Sequence, residues 1–363
     1  MAKKIFIAAT MQNDGKTTVS LGLIAALSKS FKRIGFIKPI GQRYLIEQGF
    51  KVDEDSLLID EVFGVTTHIK DMSPIAIEKG FTEKYILNGP AEDYLKKIRQ
   101  SISRIAEESD LVVIEGTGHA GVGSVFDLSN AAVARALGAN AIIISSGGIG
   151  KPIDEIMLNK ALFDKEGVRI AGVIVNKVLP GKYKKVNSIV RVGLEKKGLN
   201  VLGVVPFMKM LEKPSMREIV DELKLKVLYG EKNLHNAINQ NLVCAMAVKR
   251  ALLYIKGKTL IITPGDREDI ITAAVKTHCN KKENRSISGI ILNGGIIPGS
   301  KCLALMKKSG IPILVTGEDT YAIASRVYAV KVKIKPKNAE KIAVIKDMIG
   351  KYIDIDKVLK GMK

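Results

Sequence analysis

A lysine, two threonines and a scatter of carboxylates stand where phosphate and magnesium chemistry would need them. Gly15-Lys16-Thr17-Thr18 follows an apolar run, Ile5 to Ala9, and precedes another, Val19 to Leu27. A strand that turns through glycine into a helix aims backbone N–H groups and the helix N-terminus at one spot, which attracts phosphate oxygens. Asp14, Gly15, Lys16, Thr17 and Thr18 are therefore the expected nucleotide-binding turn, with Lys16 reaching the terminal phosphates and the Thr17 hydroxyl on magnesium. The pattern G-x-x-x-x-G-K-[ST] asks for glycine at position 10, where this chain has Thr10, preceded by Ala9.

Other polar residues fall at the ends of apolar runs. Arg33 to Ile40 reads as a second strand, and Lys38 near its end would sit close to the phosphates, because the carboxyl ends of parallel strands line the ligand crevice. Asp53-Glu54-Asp55-Ser56-Leu57-Leu58 reads as a helix start, so Asp53 and Asp55 are either N-cap residues or magnesium ligands. Asp110 to Glu115 reads as a strand that delivers Glu115 to Gly116-Thr117-Gly118-His119. A carboxylate placed there suits a metal or water ligand, and the glycines allow close backbone approach. His119 is either a substrate contact or an ordinary loop histidine. Asn176, at a strand end, and Pro206, just after another strand, lie where a purine could rest.

The elements that must hold these residues alternate. Helices over Tyr94–Ala106, Ala131–Leu137, Ile153–Phe163 and Val186–Leu194 interleave with strands over Ala141–Ser145, Ile170–Asn176 and Val201–Val205. The strands are continuous apolar runs, as expected of a parallel sheet with helices on both faces. Ile69 to Gly89 reads as an irregular loop over the crevice. Met210 to Ser215 reads as a linker, after which a smaller α/β unit contains Thr259–Thr263, the turn Pro264-Gly265-Asp266-Arg267, a helix from Ile270, Gly289–Leu292 and Asn293-Gly294-Gly295. Asp266 and Arg267 are read either as a cap and surface ion pair or as a second ligand site. The expected domains are residues 1–213, 214–330 and a lysine-rich helical tail, 331–363.

At 363 residues, with 46% hydrophobic and 26% charged content, the chain suits two or three globular domains. No apolar tract is long enough to span a bilayer, so no membrane partner is expected. The chain enters its first strand straight after Met1-Ala2-Lys3-Lys4, which predicts no cleaved signal peptide and a cytoplasmic location. Cys244, Cys279 and Cys302 are too sparse for a disulfide framework or a zinc cluster. The net charge of +20 is spread, and ten lysines after residue 330 read as a solvated face. With no tryptophan for base stacking, a nucleic-acid platform is not expected.

Taken in order, Gly15-Lys16-Thr17, Lys38-Pro39, Asp53 to Leu57, Glu115-Gly116-Thr117-Gly118, Asn176 and Gly203-Val204-Val205-Pro206 resemble the dethiobiotin synthetase family and the synthetase part of cobyrinic acid a,c-diamide synthase. The resemblance implies a P-loop NTPase fold in which ATP and magnesium convert a carboxylate or carbamate to an acyl phosphate. It implies that Lys16 and Lys38 stabilise phosphoryl charge, that Thr17, Glu115 and one of Asp53 or Asp55 hold Mg2+, and that Asn176 and Pro206 hold adenine. The chain departs from that pattern at Ala9 and Thr10, and at Thr117 and His119 where the family has Glu-Gly-Ala-Gly-Gly. Lysine at position 11 would mark dimerising ATPases of the chromosome-partitioning type, and the residue there is Met11.

Thr263 to Arg267, Gly294-Gly295 and Glu318-Asp319-Thr320 resemble the DRTGG domain, and the order of the two domains resembles the N-terminal region of long phosphotransacetylases. Neither an acyltransferase nor a glutaminase domain is expected after residue 330. Three functions follow: an ATP-binding regulatory or metabolite-sensing protein with a protein partner; an ATP-dependent ligase acting on a small carboxylate metabolite; and, on charge alone, a nucleic-acid-associated ATPase. A homo-oligomer is expected.

Overall fold

The computed structural model describes residues 2–65, 68–280, 285–330 and 332–362. The chain divides into two compact units, one formed by residues 1–208 and 334–363, the other by 209–333.

In the first unit, β1 (Lys3–Ala9) runs into α1 (Lys16–Leu27), and β2 (Ile34–Ile37) follows. Short pieces come next: β3 (Ile40–Gly41), β4 (Tyr44–Glu47), β5 (Phe50–Asp53), α2 (Glu54–Phe63), α3 (Ile69–Met72), β6 (Ile75–Ala76) and α4 (Phe81–Asn88). The alternation then resumes with α5 (Tyr94–Glu107), β7 (Leu111–Glu115), α6 (Asn130–Ala136), β8 (Asn140–Ser146), α7 (Gly150–Lys165), β9 (Ile170–Val178), α8 (Tyr183–Glu195) and β10 (Val201–Pro206). Six strands pair in the order β10-β9-β8-β1-β7-β2, all parallel.

The central strands are buried over most of their length because the sheet is covered on both sides. Phe6, Ala8, Val112, Ile114, Ala141, Ile143, Val173 and Val175 share one core with Ile98 and Ile102 of α5, Ala131 of α6, Phe163 of α7 and Val190 of α8. The alternate residues Ile5, Ile7, Val113, Ile142 and Ile144 are equally buried on the opposite face, where α1 packs. This is the period-two reading of a parallel strand with two covered faces, and it bears out the expected α/β architecture.

Two expectations change. Residues 69–89 are not an irregular loop: they hold α3, β6 and α4, and Tyr85 and Phe81 of α4 pack on Phe126. The chain also leaves the main sheet at Ile37 and does not continue as a strand to Ile40. Pro39 offers no N–H to the ladder, and Lys38 N–H instead donates to Met72 C=O at 2.8 Å. The antiparallel β4–β5 hairpin, turning at Gln48 and Gly49, went unread because its Leu45, Ile46 and Phe50 are exposed rather than alternating.

The second unit comprises α9 (Met216–Leu223), β11 (Lys226–Tyr229), β12 (Gln240–Val243), α10 (Val248–Leu253), β13 (Thr259–Pro264), α11 (Glu268–Cys279), β14 (Ile287–Asn293), α12 (Ser300–Ser309), β15 (Ile313–Val315) and α13 (Thr320–Ala329). Its sheet has the order β11-β15-β14-β13-β12, with only β11 antiparallel among these pairs. Ile261 and Ile290 face the core with α10, α11 and α12, whereas Leu260 and Ile291 face that with α9 and α13.

Beyond residue 333 the chain returns to the first unit as α14 (Ala339–Tyr352) and α15 (Ile355–Gly361); Lys331 and Lys363 lie outside the described residues. α14 lies directly on α1. Gly22 is what permits this, since a Cβ there would stand 2.2 Å from Cγ1 of Ile349. Asp354 N–H donates to Leu202 C=O at 2.8 Å, and Ile353 bridges Gly203, tying the junction of α14 and α15 to the sheet edge. Among the described residues no helix is long and apolar enough to cross a membrane.

Candidate functional site

The turn between β1 and α1 is braced from beneath. Gly15 takes a positive φ of 96°, a conformation costly for any residue with a Cβ, and no side chain caps α1. The first-turn N–H groups of α1 have no side-chain cap among the described residues. Thr10, at the position where the motif wants glycine, turns its side chain inward. Its hydroxyl lies 2.8 Å from Asp14 Oδ2, 3.1 Å from Ser145 Oγ and 3.1 Å from Glu155 Oε2. Asp14 Oδ2 also accepts from Met11 N–H at 2.7 Å, and its Oδ1 accepts from the Ser146 hydroxyl. Asp14 thus shapes the turn with its carboxylate buried in this network.

Asn176 braces the other side. Its Nδ2 donates to Asp14 C=O at 2.8 Å, its Oδ1 accepts from Lys177 N–H at 2.9 Å, and it packs so close that a Cβ on Gly15 would lie 2.3 Å away. In this structure the Asn176 carboxamide is engaged with the loop itself. Pro206 is buried at the end of β10, level with Val178 of β9. Thr18 is half-buried in the first turn of α1, and Lys16 beside it is half-buried rather than fully solvated.

The carboxylates come from three elements. Register places Glu115 of β7 opposite Ile7 of β1, which brings it under the start of α1. The Thr17 hydroxyl donates to Glu115 Oε1 at 2.9 Å, while Oε2 is buried and has no hydrogen-bond partner among the described residues. Lys38 Nζ stands 2.9 Å from Asp53 Oδ1 and in contact with Asp55 Oδ2. Asp53 is also the N-cap of α2, accepting from Asp55 N–H at 3.0 Å, so its capping and charged roles coexist.

Burial pushes the Glu115 carboxyl up to about 7, with Asp55 adding to the shift and Lys38 opposing it. Burial alone would depress the Lys38 ammonium, but Asp55, Asp53 and Glu115 reverse this and hold it above the ordinary lysine value. Lys16 is lowered, chiefly by burial and further by Lys38, against the pull of Glu115 and Asp14.

Magnesium takes hard oxygen ligands, and Thr17, the unpartnered Glu115 Oε2 and an aspartate are of that kind. No cluster of three metal-ligating carboxylates, imidazoles or thiolates is preassembled among the described residues, and Lys38 stands against both aspartates. Thr17, Glu115 and either aspartate are oxygen donors of the kind the ion would take.

A pH dependence follows from Glu115. Its folded pKa lies above that of a free carboxyl, so the folded chain binds the extra proton between about pH 4.5 and 7. Metal-free stability should fall as pH rises through that window, and Glu115→Gln should flatten the slope; melting curves from pH 5 to 8 on both proteins measure it.

Sequence reasoning missed the groups that hold these residues in place. Asn130 accepts from Thr117 N–H at 3.1 Å and donates to Thr117 C=O and His119 C=O, both at 2.7 Å, fixing the turn after Glu115. Ser145, Ser146 and Glu155 hold Thr10 and Asp14. They come from β8 and α7, far along the chain, and nothing local marks them. His119 itself accepts from Gly121 N–H at 3.2 Å, a loop contact.

In the second unit Asp266 is exposed and Arg267 pairs with Asp269, at 3.0 and 3.1 Å, and not with Asp266. A second Arg267 contact, 3.4 Å from Nη2, reaches Met246 C=O. The two motif residues do not converge on one another. Beside them near the end of β13 the Thr263 hydroxyl is buried without a hydrogen-bond partner among the described residues.

Comparison with known proteins agrees with this architecture. Residues 3–215 match the AAA domain family and residues 218–330 the DRTGG domain. Curated relatives include phosphate acetyltransferases from Nitratidesulfovibrio vulgaris, 26% identical over 98% of this chain and 51% of the relative, and from Synechocystis sp., 27% identical over 100% and 52%. The chain spans about half the length of the curated relatives it matches. Among solved structures, the CBS and DRTGG domains of the regulatory region of Clostridium perfringens pyrophosphatase, complexed with the activator diadenosine tetraphosphate, align at 22% identity over 33% of this chain and 50% of that one, with a TM-score of 0.26. With more than half of its length matched, and with the strand, Gly-Lys-Thr turn and helix that the sequence led one to expect, this chain belongs to the AAA domain family and carries a DRTGG domain behind it.

Proposed function

We propose that the first unit binds ATP with magnesium, and that the chain is a regulatory or metabolite-sensing protein related to the N-terminal region of phosphotransacetylases. One observation carries the reading: the Thr17 hydroxyl and Glu115 carboxylate meet at 2.9 Å beneath the start of α1, which no side chain caps among the described residues. Magnesium would supply positive charge against the phosphates, and Thr17, Glu115 and one of Asp53 or Asp55 would hold it; Lys16 and the first-turn N–H groups of α1 would orient the phosphates; Asn176 keeps the loop in shape. The DRTGG unit takes a separate small ligand, and each ligand changes the affinity for the other. The protein acts in the cytoplasm as a homo-oligomer.

The ligase reading has Lys38 stabilise phosphoryl charge, whereas in the structure it is paired with two aspartates. ATP turnover stimulated by a small carboxylate would favour the ligase. For the nucleotide site itself the test is Glu115→Gln, titrated with ATP in the presence of magnesium and again with chelator. The expected result is a loss of at least about tenfold with magnesium, of the size of a lost charge-assisted contact, and little change without it. Equal weakening in both conditions would make Glu115 a structural residue.

A further inference from the structure

The candidate site already contains a cation. Lys38 follows directly on β2, which pairs in parallel with β7 so that Ile37 lies opposite Ile114, one residue short of Glu115. Asp53, Asp55 and Glu115 all act on its ammonium. The Lys38 side chain is 10% exposed and those of Asp53 and Asp55 are 1% and 14% exposed. Two aspartates held this near each other, out of water and next to a third carboxylate, would repel without a positive charge between them. Lys38 supplies that charge, in contact with both.

A divalent metal set on the same carboxylates would be repelled by an ammonium at contact distance, so the two cations compete for them. We propose that Lys38 is the resident counter-ion of these carboxylates, and that a metal must displace it from an aspartate in order to bind. Bound phosphates would give the released ammonium a new anionic partner. Free Mg2+ offers it none. The chain therefore takes up metal together with nucleotide and discriminates against the free ion. The counter-ion role stands on the ion pairs alone; only the coupling to nucleotide rests on the ATP reading.

The test uses the full chain without nucleotide, with Mn2+ followed by electron paramagnetic resonance and Mg2+ by calorimetry. Wild type should bind both ions weakly. Lys38→Met removes the charge and keeps most of the volume, so it should bind them tighter by roughly tenfold or more, as expected for losing a like charge at close range. Lys38→Arg keeps the charge and should resemble wild type. Lys38→Met leaves two buried aspartates unpaired and will be less stable, so melting is recorded against Mg2+ as well: its midpoint should rise with Mg2+ while that of wild type stays put. Equal metal affinity in wild type and Lys38→Met, with equal response of the midpoints, overturns the proposal, as does tight metal binding by wild type without nucleotide. A gain of metal binding in Lys38→Met alongside a failure of every form to bind ATP would uphold the counter-ion and sink the ATP reading.

Discussion

Lys16→Ala should lose affinity for Mg-ATP by about 1.5–3 kcal/mol, or about 10- to 150-fold, while the protein stays folded. The loss follows from what Lys16 does with a nucleotide, and the intact fold from what it does without one. Its ammonium makes no hydrogen bond or ion pair among the described residues, and burial lowers its pKa, helped by Lys38. A lysine whose pKa is depressed on folding is a charge the empty fold bears at a cost. Removing it should leave the melting temperature unchanged or raise it slightly. Bound phosphates reverse the balance, because they bring negative charge to an ammonium already held near the start of α1. Calorimetry on a cooperatively melting Lys16→Ala protein is the measurement, and unchanged ATP affinity would show that the turn does not hold phosphates through this residue.

Ending the chain at Lys333 should have a larger effect, and on the fold itself. That truncation removes α14 and α15, which bring Ile342, Ile345, Met348, Ile349, Ile353 and Val358 into the core of the first unit. Fully burying such a side chain contributes about 1.5–3 kcal/mol, so six of them approach the 5–15 kcal/mol that holds a typical domain together. The loss would also strip α1 of the helix packed on Gly22 and leave Leu202 C=O without its partner, Asp354 N–H. Because α1 carries Lys16 and Thr17, nucleotide binding should go with the fold. Residues 1–333, and equally residues 1–213 alone, should be insoluble or lack a cooperative melt. Either fragment melting like the intact chain and binding ATP with the same affinity would show that the carboxy-terminal helices only decorate the unit.

The sequence by itself determined the alternation of strand and helix, the position of the Gly-Lys-Thr turn and the division of the chain into two α/β regions. Each of these depends on residues near one another in sequence: an apolar run such as Ile5 to Ala9 is a buried strand wherever it sits, and a glycine before Lys16 permits the turn whatever lies beneath it. Glu115 and Lys38 were legible for the same reason, as polar residues at the ends of such runs. Tertiary structure decided what these groups meet. Thr17 touches Glu115 because β1 and β7 are neighbours in the sheet, a pairing across about a hundred residues. Thr10 replaces a motif glycine without opening the turn because Asp14, Ser145 and Glu155 receive its hydroxyl. The last helices close over α1 because one glycine in it allows a close approach. Local sequence carries backbone preference and burial period, but hydrogen-bond partners and helix contacts depend on which distant segments the sheet order brings together, and no short stretch of residues encodes that order.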